Sequence, residues 1–256
     1  MSETLSPTRR PITAALILCG GLLSACGPAT APSGIEDPFE AENRRRHEFN
    51  TDVDRYLYRP VSQAYGRVVP QPVRTGISNF TDNIELPGAV INGVLQGRPK
   101  NAAQNTLRFL VNTTIGVFGL FDPATPLGLP EVETDFGETL FVWGAGEGSY
   151  VELPFLGPST ARDTFGLAGD LVLNPFNIFN LNYRYDQEIR VATKLAQQTG
   201  RRYTYSDFLD QLLYHSADSY AQARQLYLQN RRNTLTGGKS SEENAYDPYD
   251  DVYGEN

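Results

Sequence analysis

The sequence predicts an all-α fold for the body of the chain. Between Asp37 and Leu235, apolar residues recur mainly at the three- and four-residue spacing of amphipathic helices. Runs of alternating apolar and polar residues long enough to build a sheet are scarce, and the stretches between helical segments are dense in glycine and proline. These observations indicate one helical domain with long connections.

The N-terminal 25 residues have the layout of a secretory signal. Arg9 and Arg10 precede an uncharged run that is too short to span a bilayer as a helix. The sequence Leu23-Ser24-Ala25-Cys26-Gly27 then resembles the lipobox of bacterial lipoproteins, in which the cysteine thiol receives a diacylglycerol. We therefore predict a signal peptide over residues 1–25 and acylation at Cys26. The alternative is an ordinary secretory signal with an incidental cysteine.

The lipobox also implies a destination. Asp after the acylated cysteine retains many such proteins in the inner membrane, so Gly27 favours the outer membrane, on its periplasmic side. Several acyl chains on Cys26 would anchor the protein stably, whereas one chain holds only marginally. After Cys26 the chain to Gly34 consists of Gly, Pro, Ala, Ser and Thr, which predicts a flexible tether over residues 26–36.

Five segments have helical spacing. The predicted helices run from Glu40 to Tyr58, Pro72 to Asn83, Leu86 to Leu95, Asp186 to Thr199 and Asp207 to Arg232. Gly200 would end the fourth helix, and Thr204 with Asp207 would form a capping box for the fifth. The segments Asp122 to Pro130 and Gly144 to Gly157 are predicted to be turns and loops.

Two further segments are unusually apolar. Leu107 to Phe121 has one charge, Arg108, and as a helix it would measure about 22 Å. That length exceeds one leaflet but cannot cross a hydrocarbon core of about 30 Å. Leu167 to Leu181 is similar, with Pro175 breaking or kinking it. Two interpretations stay open: core helices of a soluble domain, or apolar faces that enter the lipid.

Composition excludes several classes of site and partner. The mature chain would keep one cysteine, itself acylated, and two histidines, so neither a disulfide nor a zinc site is expected. The full chain carries a net charge of −8, and removing Arg9, Arg10 and Glu3 makes it about −9. Nucleic acid is therefore not an expected partner. We assign residues 37–235 to the helical domain and residues 236–256 to an acidic, disordered tail.

A set of short motifs resembles the MlaA family, also called VacJ, of outer-membrane lipoproteins. Their order and spacing agree over about Asp37 to Gly169, and more loosely to Arg232. The motifs are Asp37-Pro38-Phe39-Glu40, Asn43-Arg44, Phe49-Asn50, Arg59-Pro60-Val61, Val69-Pro70-Gln71-Pro72-Val73-Arg74, Ser78-Asn79-Phe80, Leu95-Gln96-Gly97, Arg108-Phe109, Asn112-Thr113, Phe136-Gly137, Tyr150-Val151-Glu152-Leu153-Pro154-Phe155 and Arg162-Asp163.

The resemblance implies a ring-shaped helical body in the inner leaflet of the outer membrane, with a polar central channel. Mislocalised phospholipids would leave the outer leaflet through this channel and pass to a soluble periplasmic carrier, which maintains lipid asymmetry. The family also associates with trimeric porins. Neither catalysis nor a cofactor is implied. The alternative from another class is a structural or assembly lipoprotein that binds an envelope partner without moving lipid.

The resemblance also suggests site residues. Gly144, Gly146 and Gly148 would lie near the channel as a hinge or gate, although a plain turn is the simpler interpretation. Phe49 and Asn50 would lie beside the channel wall. The segment predicted to be embedded in the membrane contributes six apolar candidates. They are Leu107, Phe109, Leu110, Ile115, Phe118 and Leu120.

Charged and nucleophilic residues suggest three further interpretations. Arg44, Arg45 and Arg46 could meet lipid phosphates, or could form a solvated helix face. Ser159 lies in an incomplete nucleophile elbow, which leaves a lipid esterase as a third, weakly supported function. Scattered carboxylates are expected to serve as helix caps and loop contacts rather than as metal ligands. They are Asp122, Asp135 and Asp163.

Overall fold

The structure is a computed structural model that describes residues 37–175 and 184–236. The predicted signal peptide, Cys26 and the tether lie outside the described residues, as does the predicted tail beyond Thr236. The first described residue, Asp37, accepts hydrogen bonds from Asn43 at 2.9 Å and from Tyr220 and Arg224. The start of the body is therefore fastened to its last helix.

The described chain is helical apart from one small hairpin, which confirms the all-α prediction. The elements are α1 (Glu40–Val53), a π-helical turn (Asp54–Tyr58), α2 (Arg59–Val68), α3 (Gln71–Leu95), α4 (Pro99–Thr114), α5 (Phe136–Val142), β1 (Tyr150–Leu153), β2 (Gly157–Thr160), α6 (Ala161–Leu173), α7 (Arg184–Thr204), α8 (Ser206–Tyr214) and α9 (Ser219–Leu235). Helix α3 packs along α4 and α7, α7 also packs along α2, and α5 packs along α6.

The hairpin corrects the prediction that Gly144 to Gly157 contains only turns and loops. Strands β1 and β2 pair antiparallel, with Tyr150 opposite Thr160 and Leu153 opposite Gly157. The two strands are four residues each and separated by three residues, too short for an alternating pattern to be visible in the sequence. Asp122 to Pro130 lies between α4 and α5 without a helix or strand, as predicted.

Two predicted helices, Pro72 to Asn83 and Leu86 to Leu95, are in fact one continuous helix, α3. Pro87 lies inside it, where the missing N–H removes one bond of the helical ladder. The predicted break between Asn83 and Leu86 is wrong, and α3 packs as one helix against α4 and α7. The predicted helix from Glu40 to Tyr58 is helical throughout, with its last five residues in π-helical geometry, but its predicted end is wrong because α2 continues directly to Val68.

The C-terminal helices differ from the prediction in two places, the end of α7 and the region between α8 and α9. Gly200 does not end α7, which continues to Thr204, and Thr204 donates to the Gly200 carbonyl instead of capping the next helix. The predicted helix from Asp207 to Arg232 is divided after Tyr214. Asp218 starts α9 because its carboxylate accepts from the Ala221 N–H at 3.0 Å.

The apolar segment from Leu107 to Phe121 is helical only to Thr114, which corrects the prediction of a helix of about 22 Å. Val117 and Phe118 have φ of 54° and 57°, and Gly119 has a φ of 87°. A Cβ on Gly119 would lie 2.6 Å from that of Asn83, so the turn requires glycine here. The segment after α4 is therefore a tight apolar turn that exposes Phe118.

The buried side chains are mostly polar. Among the described residues, nine apolar residues are buried, four of them alanines, against twenty-one polar or charged ones. Large apolar side chains are exposed on almost every element. Soluble domains show the opposite distribution, since they bury large apolar residues and leave charges in water. One small apolar cluster, formed by Tyr150, Tyr220 and Leu228, packs beneath the hairpin.

Candidate functional site

The polar face of α4 fastens the loop between α4 and α5. Asn105 exchanges hydrogen bonds with the backbone of Val132, at 2.9 and 3.1 Å. Asn112 donates to the Asp122 carboxylate at 3.0 Å, and Arg108 donates to the same carboxylate at 2.8 Å. All three α4 side chains are buried and recur at three- and four-residue intervals. The loop is therefore held along its length against a polar helix face.

That loop forms one wall of a polar cavity of about 250 Å³. Helices α3, α5, α7 and α9 supply the other walls. The lining residues are Asp82, Glu85, Ala89, Glu131, Glu133, Thr134, Asp135, Glu138, Lys194, Arg201, Arg231 and Thr234. The cavity is therefore enclosed by elements from widely separated parts of the chain, and its lining is strongly charged.

Arg231 of α9 organises one side of this cavity. It donates to Asp135 at 2.8 Å and to Asp163 at 2.9 Å, which joins α9 to the starts of α5 and α6. Burial pushes the pKa of Asp163 upward, but hydrogen bonds from Arg231 outweigh it and leave the pKa lowered. Asp163 is therefore ionised at neutral pH. Asp135 also accepts from the Glu138 N–H and so caps α5.

Glu131 has the opposite character. Burial, followed by repulsion from Asp82, raises its pKa to about 7 against an ordinary value of 4.5. Arg108, its nearest cation, is 4.0 Å away and already binds Asp122. The cavity therefore holds a carboxylate that lacks a close cationic partner.

A second cavity, of about 510 Å³, is predominantly apolar and lies between α1, the hairpin, α8 and α9. Leucine side chains dominate one side, while polar groups of α1 and β1 lie at the other. The lining residues are His47, Asn50, Thr51, Glu152, Gly157, Pro158, Phe208, Leu209, Leu212, Leu213, Ala223, Leu226, Tyr227 and Asn230.

The outer face of α4 and the turn after it are apolar and exposed. Five of the six candidates for membrane contact are among the exposed large apolar residues, and Phe109 is half-buried. The five are Leu107, Leu110, Ile115, Phe118 and Leu120. In the part of the chain that the structure describes, no helix combines the length and the apolar character needed to cross a bilayer.

A sequence profile of the MlaA lipoprotein family matches residues 35–234. The chain belongs to the MlaA lipoprotein family. Two relatives, from Shigella flexneri and Escherichia coli K12, are 35% identical over 230 residues, which cover 88% of this chain and 89% of each relative. Both are named intermembrane phospholipid transport system lipoprotein MlaA. A relative of the same name from Haemophilus influenzae is 33% identical over 52% of this chain and 55% of its own length.

A solved structure has the same fold. It superposes with a TM-score of 0.65 and 33% sequence identity over 78% of this chain and 98% of its own. That structure comes from work on the structural basis for maintenance of bacterial outer membrane lipid asymmetry. Sequence and structure therefore place the described body within this family over most of its length.

Within this MlaA fold, Phe49 and Asn50 hold the hairpin turn. Asn50 donates to the Leu153 carbonyl at 2.9 Å and accepts from the Phe155 N–H at 2.8 Å. Phe49 meets the Phe155 ring edge-to-face, with centroids 5.1 Å apart. Asn50 also lines the apolar cavity. Their predicted place beside a channel wall stays a prediction, and neither residue lines the polar cavity.

The three glycines predicted to form a gate connect α5 to β1 and line neither cavity. Gly144 has a φ of 91° with open space where a Cβ would lie, whereas a Cβ on Gly148 would lie 2.8 Å from that of Ala161. Gly146 is half-buried between them. Gly144 could therefore accept a side chain without a clash, at the cost of a strained backbone, whereas Gly148 could not.

The three arginines of α1 differ in their surroundings. Arg44 binds Asp218 at 2.9 Å and lies over the Tyr220 ring, so it joins α1 to α9. It holds the pKa of Asp218 at about 2. Arg45 is exposed, with one ion pair to Glu42 at 3.4 Å, and Arg46 is half-buried. Arg45 is therefore the most available of the three for a lipid phosphate.

Ser159 and the scattered carboxylates have structural partners. The Ser159 hydroxyl lies 3.1 Å from that of Thr164, while His47 contacts Glu152 and Ser219. The serine and this histidine, one of two candidate bases, are therefore engaged with different partners. Asp122 and Asp163 serve as loop and helix contacts, as predicted. Within residues 37–175 and 184–236, no group of three or more metal-ligating side chains is present.

Sequence reasoning missed the buried polar residues of α4 and the lining of the polar cavity. The signal for the first was present, since Asn105, Arg108 and Asn112 share one helical face within an apolar segment. No local signal exists for the cavity, because its lining comes from α3, the loop before α5, α5, α7 and α9, which only the fold brings together.

Proposed function

We propose that this protein extracts mislocalised phospholipids from the outer leaflet of the outer membrane and passes them to a soluble periplasmic carrier. The inverted distribution of polarity carries the proposal. Polar and charged groups fill the interior, while large apolar side chains cover the outside. The named function of the relatives, intermembrane phospholipid transport, agrees with this assignment.

The physical barrier to such transport is the headgroup. Moving a charged headgroup through hydrocarbon leaves its polar atoms without hydrogen-bond partners, which is costly. A body that lies in one leaflet and presents a polar interior lowers this barrier without covalent chemistry. The polar cavity is the part of the interior that we assign to the headgroup path, within a ring-shaped body that encloses a channel.

The apolar surface supports a position within one leaflet. The exposed side chains of α4 and the following turn would be unfavourable in water, but they gain free energy in hydrocarbon at about 25 cal/mol per Å² of buried apolar surface. Acylation at Cys26 would hold the body there. A porin trimer and a soluble lipid carrier complete the proposed pathway as partners.

Deletion of the gene tests the function directly. Cells that lack the protein should display more phospholipid on their surface, measured by labelling of outer-leaflet lipid, and wild-type protein supplied in trans should reverse the change. A Cys26→Ser variant, expressed at the same level, should fail to reverse it. Unchanged surface phospholipid in the deletion strain would favour a structural lipoprotein instead.

A further inference from the structure

The two cavities lie one after the other along the same face of α9. Four side chains of this face line the apolar cavity, and the next two line the polar one. They are Ala223, Leu226, Tyr227 and Asn230, followed by Arg231 and Thr234. Spacings of three and four residues place all six on one side of the helix. The apolar lining therefore gives way to polar lining between two neighbouring residues, Asn230 and Arg231.

The boundary between the cavities is one hydrogen-bonded group. Tyr227 lines the apolar cavity, and its hydroxyl donates to the Asp163 carboxylate at 2.8 Å. Arg231, which lines the polar cavity, donates to the same carboxylate at 2.9 Å. The walls of the two cavities therefore share Asp163.

The two buried polar residues of the apolar cavity already have partners. His47 contacts Glu152 and Ser219, and Glu152 also accepts from Asn50 at 3.2 Å. The remaining lining is mainly leucine from α8 and α9. Because apolar walls give water few hydrogen-bond partners, the cavity favours an apolar occupant.

The exposed part of the apolar cavity is also mainly apolar. Three of its lining residues are exposed, and two of these are Phe208 and Leu226, at 54% and 42%; the third is Asn230. The rim of a protein–protein interface is usually polar. An apolar rim instead favours contact with hydrocarbon.

The dimensions of the apolar cavity match those of an acyl chain. From Ala223 to Asn230 the helix rises about 11 Å. One leaflet of the hydrocarbon core, which sets the length of a lipid chain, is about 15 Å thick. Even two turns of an α-helix, about 10 Å across and 11 Å long, displace more than the roughly 510 Å³ of the cavity. The space therefore fits a hydrocarbon chain better than a helical segment of a partner.

We propose that the apolar cavity binds one acyl chain of the transported phospholipid while the headgroup of the same molecule lies in the polar cavity. The inference rests on the proposed phospholipid transport and names the site of the hydrocarbon part. An amphiphile requires an apolar and a polar compartment next to each other, and α9 presents the two in sequence. A chain held there stays away from water when the lipid leaves the bilayer.

Photocrosslinking of a bound lipid tests the proposal. The full-length lipoprotein is incubated with vesicles of phosphatidylethanolamine and phosphatidylglycerol that include a phosphatidylethanolamine with a diazirine on one acyl chain. After irradiation the protein is re-isolated in mild detergent, and mass spectrometry quantifies the retained phospholipid and locates the adducts. Adducts should form on α8 and α9, and also on the exposed turn after α4, which serves as the reference for contact with the bilayer.

Tryptophan substitutions fill the apolar cavity. Leu212→Trp should lower the adducts on α9, relative to those on the α4 turn, about fivefold to tenfold, because the indole overpacks the space that the chain requires. Leu226→Trp should have the same effect from the exposed side. Leu195→Trp is the matched control and should leave the ratio unchanged, since Leu195 is exposed on α7 and lines neither cavity. Circular dichroism checks that each variant keeps the helical fold.

The acyl chains predicted on Cys26 have the same chemistry and are a second source of hydrocarbon. Because the diazirine is on the supplied phospholipid, adducts on α8 and α9 of the acylated protein identify the transported lipid as the occupant. Adducts there that form only in Cys26→Ser would show that the anchor itself fills the cavity, and would overturn the proposal.

The remaining outcomes separate this proposal from the function on which it rests. Retained phospholipid without adducts on α8 or α9, or adducts that persist in both cavity variants, would overturn the acyl-chain site and leave lipid transport intact. A wild-type protein that retains no phospholipid at all would count against the proposed function itself.

Discussion

Helix α4 turns a polar face toward the protein and an apolar face outward, which is the reverse of an amphipathic helix in a soluble domain. The face turned toward the protein carries Asn105, Arg108 and Asn112, and the face turned outward carries Leu107 and Leu110. Each buried polar group has a named partner in the loop between α4 and α5, so its desolvation is compensated. The two leucines stay about half exposed in the part of the chain that the structure describes.

The difference shows that helical spacing does not reveal which face points inward. An amphipathic pattern has the same period whether its polar side faces water or lines an interior. The decision comes from the surroundings, which here supply a polar loop on one side. The same helix would be unstable in a soluble bundle, because its inner face would be buried without partners.

The largest effect should come from removing the charge on the inner face. Arg108→Leu leaves the Asp122 carboxylate without its cation and should lower the free energy of unfolding by about 3–5 kcal/mol, measured by denaturant unfolding in detergent. The exposed Arg45→Leu should change it by less than about 0.5 kcal/mol. Equal effects of the two substitutions would contradict a structural role for the polar face.

The free energy of unfolding should depend on pH through Glu131. Because the folded-state pKa of Glu131 is raised to about 7, folding favours its protonated form. Its contribution to stability is present below pH 4.5 and is lost as the pH rises through 7, amounting to about 1–3 kcal/mol. The slope between these pH values should flatten in Glu131→Gln. The same slope in both proteins would assign the titration to another group.

Substitutions at two glycines test how tightly the turn after α4 packs against Asn83. Gly119→Ala meets the Asn83 side chain at a positive φ, whereas Gly128→Ala has a similar φ, 81°, and open space. Both should lose about 1 kcal/mol from backbone strain, and Gly119→Ala should lose about 1–2 kcal/mol more from the clash. Matching thermal unfolding of the two variants would show that the turn adapts to a side chain.

The smallest change in stability should occur on the outer face. Leu110→Ser exposes no new cavity, since the side chain is already half exposed, and should alter unfolding by less than about 0.5 kcal/mol. In a Cys26→Ser background it should still weaken binding to vesicles about threefold to fivefold, because less apolar area enters the lipid. Ala103→Ser, exposed on the same helix but with little apolar area to lose, serves as the control and should bind vesicles as the parent does.

Much of the fold could be predicted from the sequence, because helical periodicity is a local property. The all-α class and most helical segments followed from it, but their ends depended on contacts between distant residues. The predicted break between Asn83 and Leu86 falls inside a helix that packs against α4 and α7. Ile115 to Phe121 looked helical because it is apolar, yet its glycines allow a turn that spacing does not encode.

The candidate site was less accessible to sequence reasoning. Acylation at Cys26 is a prediction from a contiguous motif, whereas Glu131 and Lys194 line one cavity only through the packing of the loop beside α7. The gate glycines and the α1 arginines were placed by resemblance, and their roles stay predictions. Charge balance inside a cavity is a property of the assembled fold, so no segment of the chain displays it alone.

The attachment of Asp37 to α9 has a mechanical consequence. Its carboxylate joins the beginning of the body to Tyr220 and Arg224 near the end. Any pull on an acylated Cys26 would be delivered through Asp37 to the first and last helices at once. Lateral movement of the lipid anchor would then displace α1 and α9 together, instead of pulling α1 away from α9.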